Sequence, residues 1–443
     1  MVSGGVAIIF LLVAVVLIIL ATSKWNMNPF FVLISIAFLF GLAVRLPLVD
    51  LVNTIKNGFG GTLGSIGIVI LCGTIIGFIM EKTGAALSIT QAILKLVGNN
   101  RAPLAMSIAG YIVSVPVFCD SGFVILTPLN KALSAKTGTS MGVMAVALAT
   151  GLHATHALVP PTPGPIAAAG NLGADLGKVI FLGVIVSIFS MLAGYIWALK
   201  IGSKYDIKAD IEEDYDSLIK KYGHLPTAFH SALPLLVPII LILLKSLAAF
   251  PTKPFGDGGF ATFISFIGDP VTALMIGVIV SLTLVKKDVE KTAISEWMSE
   301  GLKSAALIIA ITGAGGAFGA VLKASPMANF IGETMSGWKL GILLPFIISV
   351  SLKTAQGSGT VALITTSAIL APLLGTFGLD PALTVLAIGS GAMVVSHAND
   401  SYFWVVSQFS GIETPIAYKI YTTATGVQGI TAFIIVFILS LFI

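Results

Sequence analysis

Five ionisable residues stand where the surrounding sequence is too apolar to hold them cheaply: Asp120, His153, His156, Lys353 and Asp400. Ionisable groups at membrane depth are costly and usually functional. Asp120 lies in VPVFCDSGFVILTP, residues 115–128, followed at once by Ser121 and Gly122. Pro116 lacks an amide donor and clashes one turn back, so a helix entering this stretch breaks there. A structural role competes with the chemical one, since aspartate is a favoured N-cap for a helix starting near Phe123. A second Ser-Gly break occurs in KTAQGSGT, residues 353–360. Ser121, Gly122, Gly357, Ser358, Gly359 and Thr360 thus offer amides and hydroxyls at two helix tips. Free amides and the helix dipole together favour an anionic group.

His153 and His156 are three residues apart and share one helix face. They directly precede a proline run, and a histidine titrating near pH 6.5 suits a proton carrier. An H-x-x-H pair also suits a metal, but no third ligand of metal spacing accompanies it, so no metal and no cofactor are expected. In SHANDSYFW, residues 396–404, His397 is followed by Asn399 and Asp400, which could equally cap a helix. Lys353 precedes the second Ser-Gly break by one turn. It is a charge partner for a substrate carboxylate or for Asp120, or else snorkels to the interface. The expected substrate-binding set is Asp120, Ser121, Gly122, His156, Gly357, Ser358, Gly359, Thr360, His397 and Asn399. The expected proton-coupling set is Asp120, His153, His156 and Asp400.

The elements that must position these groups are helices in a membrane. Hydrophobic residues make up 56% of the 443-residue chain and charged residues 10%, with a mean hydropathy of +1.02. A soluble domain carries roughly 25% charged residues. An all-α polytopic membrane protein follows, with roughly 10–12 spans of about 20 residues each plus two hairpins. Cys72 and Cys119 sit in apolar runs and suggest no disulfide framework. The net charge of +4 is scattered, so nucleic acid is not an expected partner. Val6–Leu20 lacks a basic leader and reads as a retained span.

In chain order, spans are expected over residues 6–20, 30–44 and 66–80, with 50–61 a polar interfacial segment. Residues 85–97 read as an amphipathic helix. Arms over 104–115 and 123–132 flank the Asp120 break, too short to cross and suited to a re-entrant hairpin. A span over 141–158 ends in GLHATHALVPPTPGP, where the prolines forbid regular helix from 160 to 165. Residues 178–199 form another span. Lys200 to Lys221 then gathers 11 of the 44 charged residues in mixed sign, which reads as a solvated linker. Later spans are expected over 233–247, 271–285 and 303–322, with a glycine- and phenylalanine-rich loop at 255–268 and a charged surface helix at 286–300. Arms over 340–352 and 361–374 flank the second Ser-Gly break. Residues 383–395 lead into SHANDSYFW, and 426–443 close the chain.

An internal repeat underlies this order. Ser121-Gly122 recurs as Ser358-Gly359 (358 − 121 = 237), His156-Ala157 as His397-Ala398 (397 − 156 = 241), and Lys82 as Lys323 (323 − 82 = 241). The halves are residues 1–199 and 231–443, joined by the polar linker 200–230. Interrupted segments in corresponding places of two halves are the best sequence pointer to a transport site.

VPVFCDSGFVILTPL, ATGLHATHALVPPTPGP, QGSGTVALIT and SHANDSYFW resemble the signature stretches of the gluconate:proton symporter family, which includes gluconate, idonate and D-serine permeases. The resemblance covers nearly the whole chain in the same order. It implies a bacterial inner-membrane carrier for a small hydroxylated carboxylate coupled to protons, within the broader ion-transporter superfamily. It also implies two inverted repeats, a scaffold and a mobile transport domain that moves like an elevator, and a homodimer in the lipid bilayer. The leading expectation is proton-coupled symport of a sugar acid such as gluconate. A carrier for idonate or D-serine is the nearest alternative. An intramembrane serine hydrolase using Ser121 or Ser358 is a further one, against which the repeat argues, because one nucleophile needs no second Ser-Gly break. A channel differs by giving flux without uphill accumulation.

Overall fold

The computed structural model describes residues 2–25, 27–98, 101–210, 224–248, 254–286, 289, 291–326, 341–397 and 400–442. Regular structure among them is entirely helical. The helices are α1 (Gly4–Ser23), α2 (Pro29–Ala43), α3 (Leu48–Lys82), α4 (Ala85–Val97), α5 (Ala102–Val113), α6 (Cys119–Thr137), α7 (Met141–Leu158), α8 (Pro163–Leu172) and α9 (Leu176–Ile201). They continue with α10 (Ala228–Ala248), α11 (Gly259–Ile267), α12 (Pro270–Leu282), α13 (Lys291–Lys323), α14 (Leu343–Gln356), α15 (Gly359–Leu370), α16 (Pro381–Met393), α17 (Ser401–Phe409) and α18 (Thr423–Leu439). Asn399 and residues 211–223 of the polar linker lie outside the described residues.

Several sequence boundaries are corrected. Residues 50–61 are part of α3, a 35-residue helix bent by 44° between Gly64 and Gly67. Gly58 accounts for the unbroken run: a Cβ there would lie 2.9 Å from the Ala317 Cα, so glycine lets α3 and α13 touch backbone to backbone. Close packing through small residues drives helix association in lipid and outweighs the roughly 1 kcal/mol helix penalty of glycine. The expected surface helix and the span after it are one helix, α13, from Lys291 onward. The glycine- and phenylalanine-rich loop holds α11, which meets α12 at 63°. The proline run does not exclude helix to residue 165. Helix α8 begins on Pro163, where the missing amide is one the first turn leaves unbonded anyway. The arms of the first hairpin are 12 and 19 residues long, the second longer than expected and carrying Pro128 inside.

Among the described residues six helical stretches are long and apolar enough to cross a membrane, or eight if the two bent pairs each count once. The sequence expectation of 10–12 is higher because it scores apolar runs as spans. Six of the apolar helices are only 10–17 residues long.

Helix α3 packs along α13, while α2 lies on α13 and α12 on α3. A second group forms around α7 and α16. There α5, α6 and α9 pack on α7, α14 and α18 pack on α16, and α9 meets α18. The short segments after the two breaks cross over: α8 packs on α15, and α17 packs on α6. Every residue of α7 except His156 is buried. Alanine and glycine make that possible, since a Cβ at Gly110 of α5 would sit 2.8 Å from the Leu148 carbonyl oxygen.

Candidate functional site

At the first hairpin α5 ends at Val113 and α6 begins at Cys119. The N-cap is Phe118, and no side chain bonds the free amides. Asp120 therefore stands in the first turn of α6 and is not its cap, which corrects the structural reading of that residue. Its Oδ1 is buried and has no hydrogen-bond partner. Ser121 lines a cavity of about 90 Å³ shared with Thr74, Gly77, Phe78 and Glu81 of α3. Gly122 is buried, and a Cβ there would lie 2.7 Å from Leu152 Cδ2 of α7.

The second hairpin is built differently. Gly357 turns the chain at φ +90° after α14. Ser358 caps α15, its Oγ accepting from the Val361 amide at 3.3 Å. Gly359 lies close to α16, where a Cβ would be 3.2 Å from the Ala392 carbonyl oxygen. Thr360 is half-buried in the first turn of α15.

The two broken helices also differ. His153 and His156 are in the last turns of α7, and each has a buried Nδ1 without a partner. Helix α16 unwinds sooner, at Met393, so His397 lies in the extended break and not on a helix. Its Nε2 is 2.9 Å from the carbonyl oxygen of Thr354, which ties the break to α14. The sequence match of His156 to His397 thus pairs residues in different backbone settings.

Asp400 closes that break. It caps α17, accepting from the Tyr402 amide at 3.1 Å, and it accepts from Ser396 Oγ at 2.5 Å. Its Oδ2 is 2.6 Å from Lys353 Nζ. The Lys353 side chain is 1% exposed and also donates to the Gly357 carbonyl. Lys353 therefore does not snorkel, and its partner is Asp400 and not Asp120. A buried ion pair is tolerated when further hydrogen bonds satisfy both ends, and here both ends have them. Asp120, His153 and His156 all lie within the electrostatic reach of Lys353 and Asp400. The structure thus gathers Asp120, His153, His156, Lys353 and Asp400 into one cluster.

Residues 6–442 match the profile of the GntP family permeases. The chain belongs to the GntP permease family. It is 35% identical over 438 residues to the D-serine transporter DsdX of Escherichia coli O6:H1 (strain CFT073), covering 98% of both chains. It is 31% identical over 442 residues to a gluconate permease of Pseudomonas aeruginosa, covering 97% of this chain and 96% of that one. The fold is similar to the solved structure of Neisseria gonorrhoeae MtrF, at a TM-score of 0.68 and 13% identity over 94% of this chain and 96% of that one. As a GntP permease the chain is a multi-pass membrane transport protein and not an enzyme.

The Ser358 hydroxyl serves as the cap of α15. The cluster in this GntP permease also contacts residues that sequence reasoning did not select. Ser396 orients Asp400, and Tyr402 donates its hydroxyl to the Ala149 carbonyl of α7 at 3.1 Å. The Tyr402 ring stands edge-on to His153, centroids 5.8 Å apart. Both residues belong to SHANDSYFW, so the signal was adjacency to chosen residues.

Proposed function

We propose that this GntP permease is a secondary active transporter that couples uptake of a small hydroxylated carboxylate to protons. Gluconate or another sugar acid is the first reading of the substrate. One observation carries the proposal: the second hairpin, the break after α16 and the buried face of α7 meet at a single ionisable cluster. Glycine tips leave amides for an anion there, and Asp120 with the histidines supplies groups that change protonation. A second reading, D-serine, is favoured by the 35% identity to a D-serine transporter. It suits the unpartnered Asp120 Oδ1, which would accept from an ammonium.

The assigned substrate set is the one expected from sequence, with Lys353 acting through Asp400. The crossed packing of α8 on α15 and α17 on α6 supports two inverted repeats, residues 1–199 and 231–443 around the linker 200–230, because a two-fold relation exchanges such contacts. The pairing of α3 with α13, on which α15 and α8 also pack, supports a scaffold against which the hairpin-bearing group moves in an elevator cycle. The bacterial inner membrane and a homodimer complete the proposal. The test is uptake into proteoliposomes of a panel of labelled sugar acids and D-serine, with and without an inward proton gradient and with and without sodium. Uphill accumulation of one panel member driven by the proton gradient alone is the expected result. Uptake of none, or accumulation requiring sodium, would reject the proposal.

A further inference from the structure

Helix α16 ends at Met393, and two residues later the chain turns at Val395 through φ +58°. A β-branched residue in the left-handed region is an outlier. Such a conformation persists only where its surroundings over-determine it, and outliers of this kind gather at functional sites. The next residue, Ser396, is fully buried and is held by its amide, its carbonyl and its hydroxyl. The amide donates to Thr425 Oγ1 at 3.0 Å, and the carbonyl accepts from Thr422 Oγ1 at 2.6 Å. The hydroxyl donates to Asp400 Oδ2 at 2.5 Å.

Both threonines stand at the head of α18. A single π-helical turn, Tyr418–Thr422, leads into that helix, and such turns are rare and frequent at functional sites. Thr422 and Thr425 are three residues apart and share a face. Gly429 continues it: a Cβ there would collide with Val394, so glycine lets α18 close on the end of α16. A threonine in a helix usually returns its hydroxyl to a carbonyl one turn back, as Thr423 does to Lys419. Thr422 instead donates across to Ser396. The Thr425 hydroxyl gives its proton to the Thr422 carbonyl at 2.8 Å, which leaves a lone pair for the Ser396 amide. Beyond the break, the Tyr421 ring stands edge-on to the ring of Tyr402, centroids 5.9 Å apart, in the helix that Asp400 caps. The head of α18 therefore touches the break on both sides of Asp400.

We infer that Thr422 and Thr425 are positioning residues for proton coupling, clamping Ser396 against the strain at Val395 so that its hydroxyl stays on Asp400. The inference rests on the proton-coupled reading above, in which Asp400 belongs to the coupling cluster. The threonines act through Ser396, and Ser396 acts through Asp400, which also pairs with Lys353. Without the clamp nothing opposes the return of Val395 to negative φ. That rotation turns the backbone at Ser396 and carries its hydroxyl off the carboxylate.

The test compares wild type with Thr422→Val, Thr425→Val, Thr422→Ser and Thr425→Ser in proteoliposomes carrying an internal pH dye. Valine keeps the branched shape and removes the hydroxyl, while serine keeps the hydroxyl. Each valine variant is expected to lose gradient-driven accumulation about tenfold, the size of one displaced hydrogen bond to a charged group, while counterflow exchange stays close to wild type. Each serine variant is expected to recover the accumulation. Glycine takes a positive φ without strain, so Val395→Gly added to either valine variant is expected to recover part of the loss. Wild-type accumulation in either valine variant, equal loss of accumulation and counterflow, or a loss that neither serine nor Val395→Gly relieves would overturn the inference. If Thr425→Val fails to insert because the Ser396 amide is left buried and unpaired, the Thr422 variants decide by the same readouts. Wild-type protein that takes up substrate without acidifying the lumen would instead reject the proton-coupled reading, and the positioning role with it.

Discussion

Lys353 Nζ lies 2.6 Å from Asp400 Oδ2, the one in the last turn of α14 and the other capping α17, with both side chains almost wholly withdrawn from solvent. This contact fastens the second hairpin to the break after α16. Each charge is satisfied more than once, Lys353 by the Gly357 carbonyl and Asp400 by Ser396 and the Tyr402 amide. Removing one partner of such a pair typically costs about 3–5 kcal/mol, because the other is left charged and buried. Lys353→Met is therefore expected to lower the melting temperature in detergent sharply. The double variant Lys353→Met/Asp400→Asn, which keeps a capping side chain, should recover most of the loss. Additive losses in the double-mutant cycle would show that the two residues are not coupled.

Asp120 should matter for coupling and little for stability. It is not the cap of α6, and its buried Oδ1 has no partner. Asp120→Asn is expected to melt within a degree or two of wild type, since the roughly 1 kcal/mol typical of a lost cap does not apply. The same variant should lose uphill accumulation and retain counterflow. Wild-type accumulation normalised to membrane protein would confine Asp120 to a structural role.

Gly357 adopts φ +90°, and its carbonyl accepts the Lys353 ammonium. A side chain at positive φ costs an L-residue roughly 1–2 kcal/mol. Gly357→Ala is expected to destabilise by at least that amount and to reduce uptake more than Gly375→Ala, where a Cβ meets nothing within 4 Å. Equal effects of the two substitutions on uptake would remove the special role of the Gly357 turn.

Tyr402 links the break after α16 to α7 through the Ala149 carbonyl. Loss of one neutral hydrogen bond costs about 0.5–1.5 kcal/mol. Tyr402→Phe should lose that much stability by chemical denaturation while keeping the ring contacts to His153 and Phe123. No measurable loss would mean that the ring alone holds the segment.

The breaks were legible in sequence because proline, and glycine beside serine, act locally: Pro116, Gly357 and Ser358 interrupt helices where they stand. Lys82 and Lys323 each end a long helix. Segment joins were not legible. Residues 50–61 look too polar for a span until Gly58 is seen against Ala317, a contact across more than half the chain. Pairing was not legible either. Lys353 had three possible destinations in sequence, and only the fold brings Asp400 to it. The early end of α16 moved His397 off the helix that its match with His156 suggested, and no local residue announces that difference.

In the proposed cycle substrate and protons cross together. The most direct measurement loads proteoliposomes with no pH gradient, applies a substrate gradient, and follows internal pH and labelled substrate in the same sample without sodium. Inward substrate movement is expected to drive protons inward, acidifying the lumen in fixed proportion to uptake, and an outward substrate gradient to alkalinise it. Substrate that equilibrates with internal pH unmoved would contradict the account.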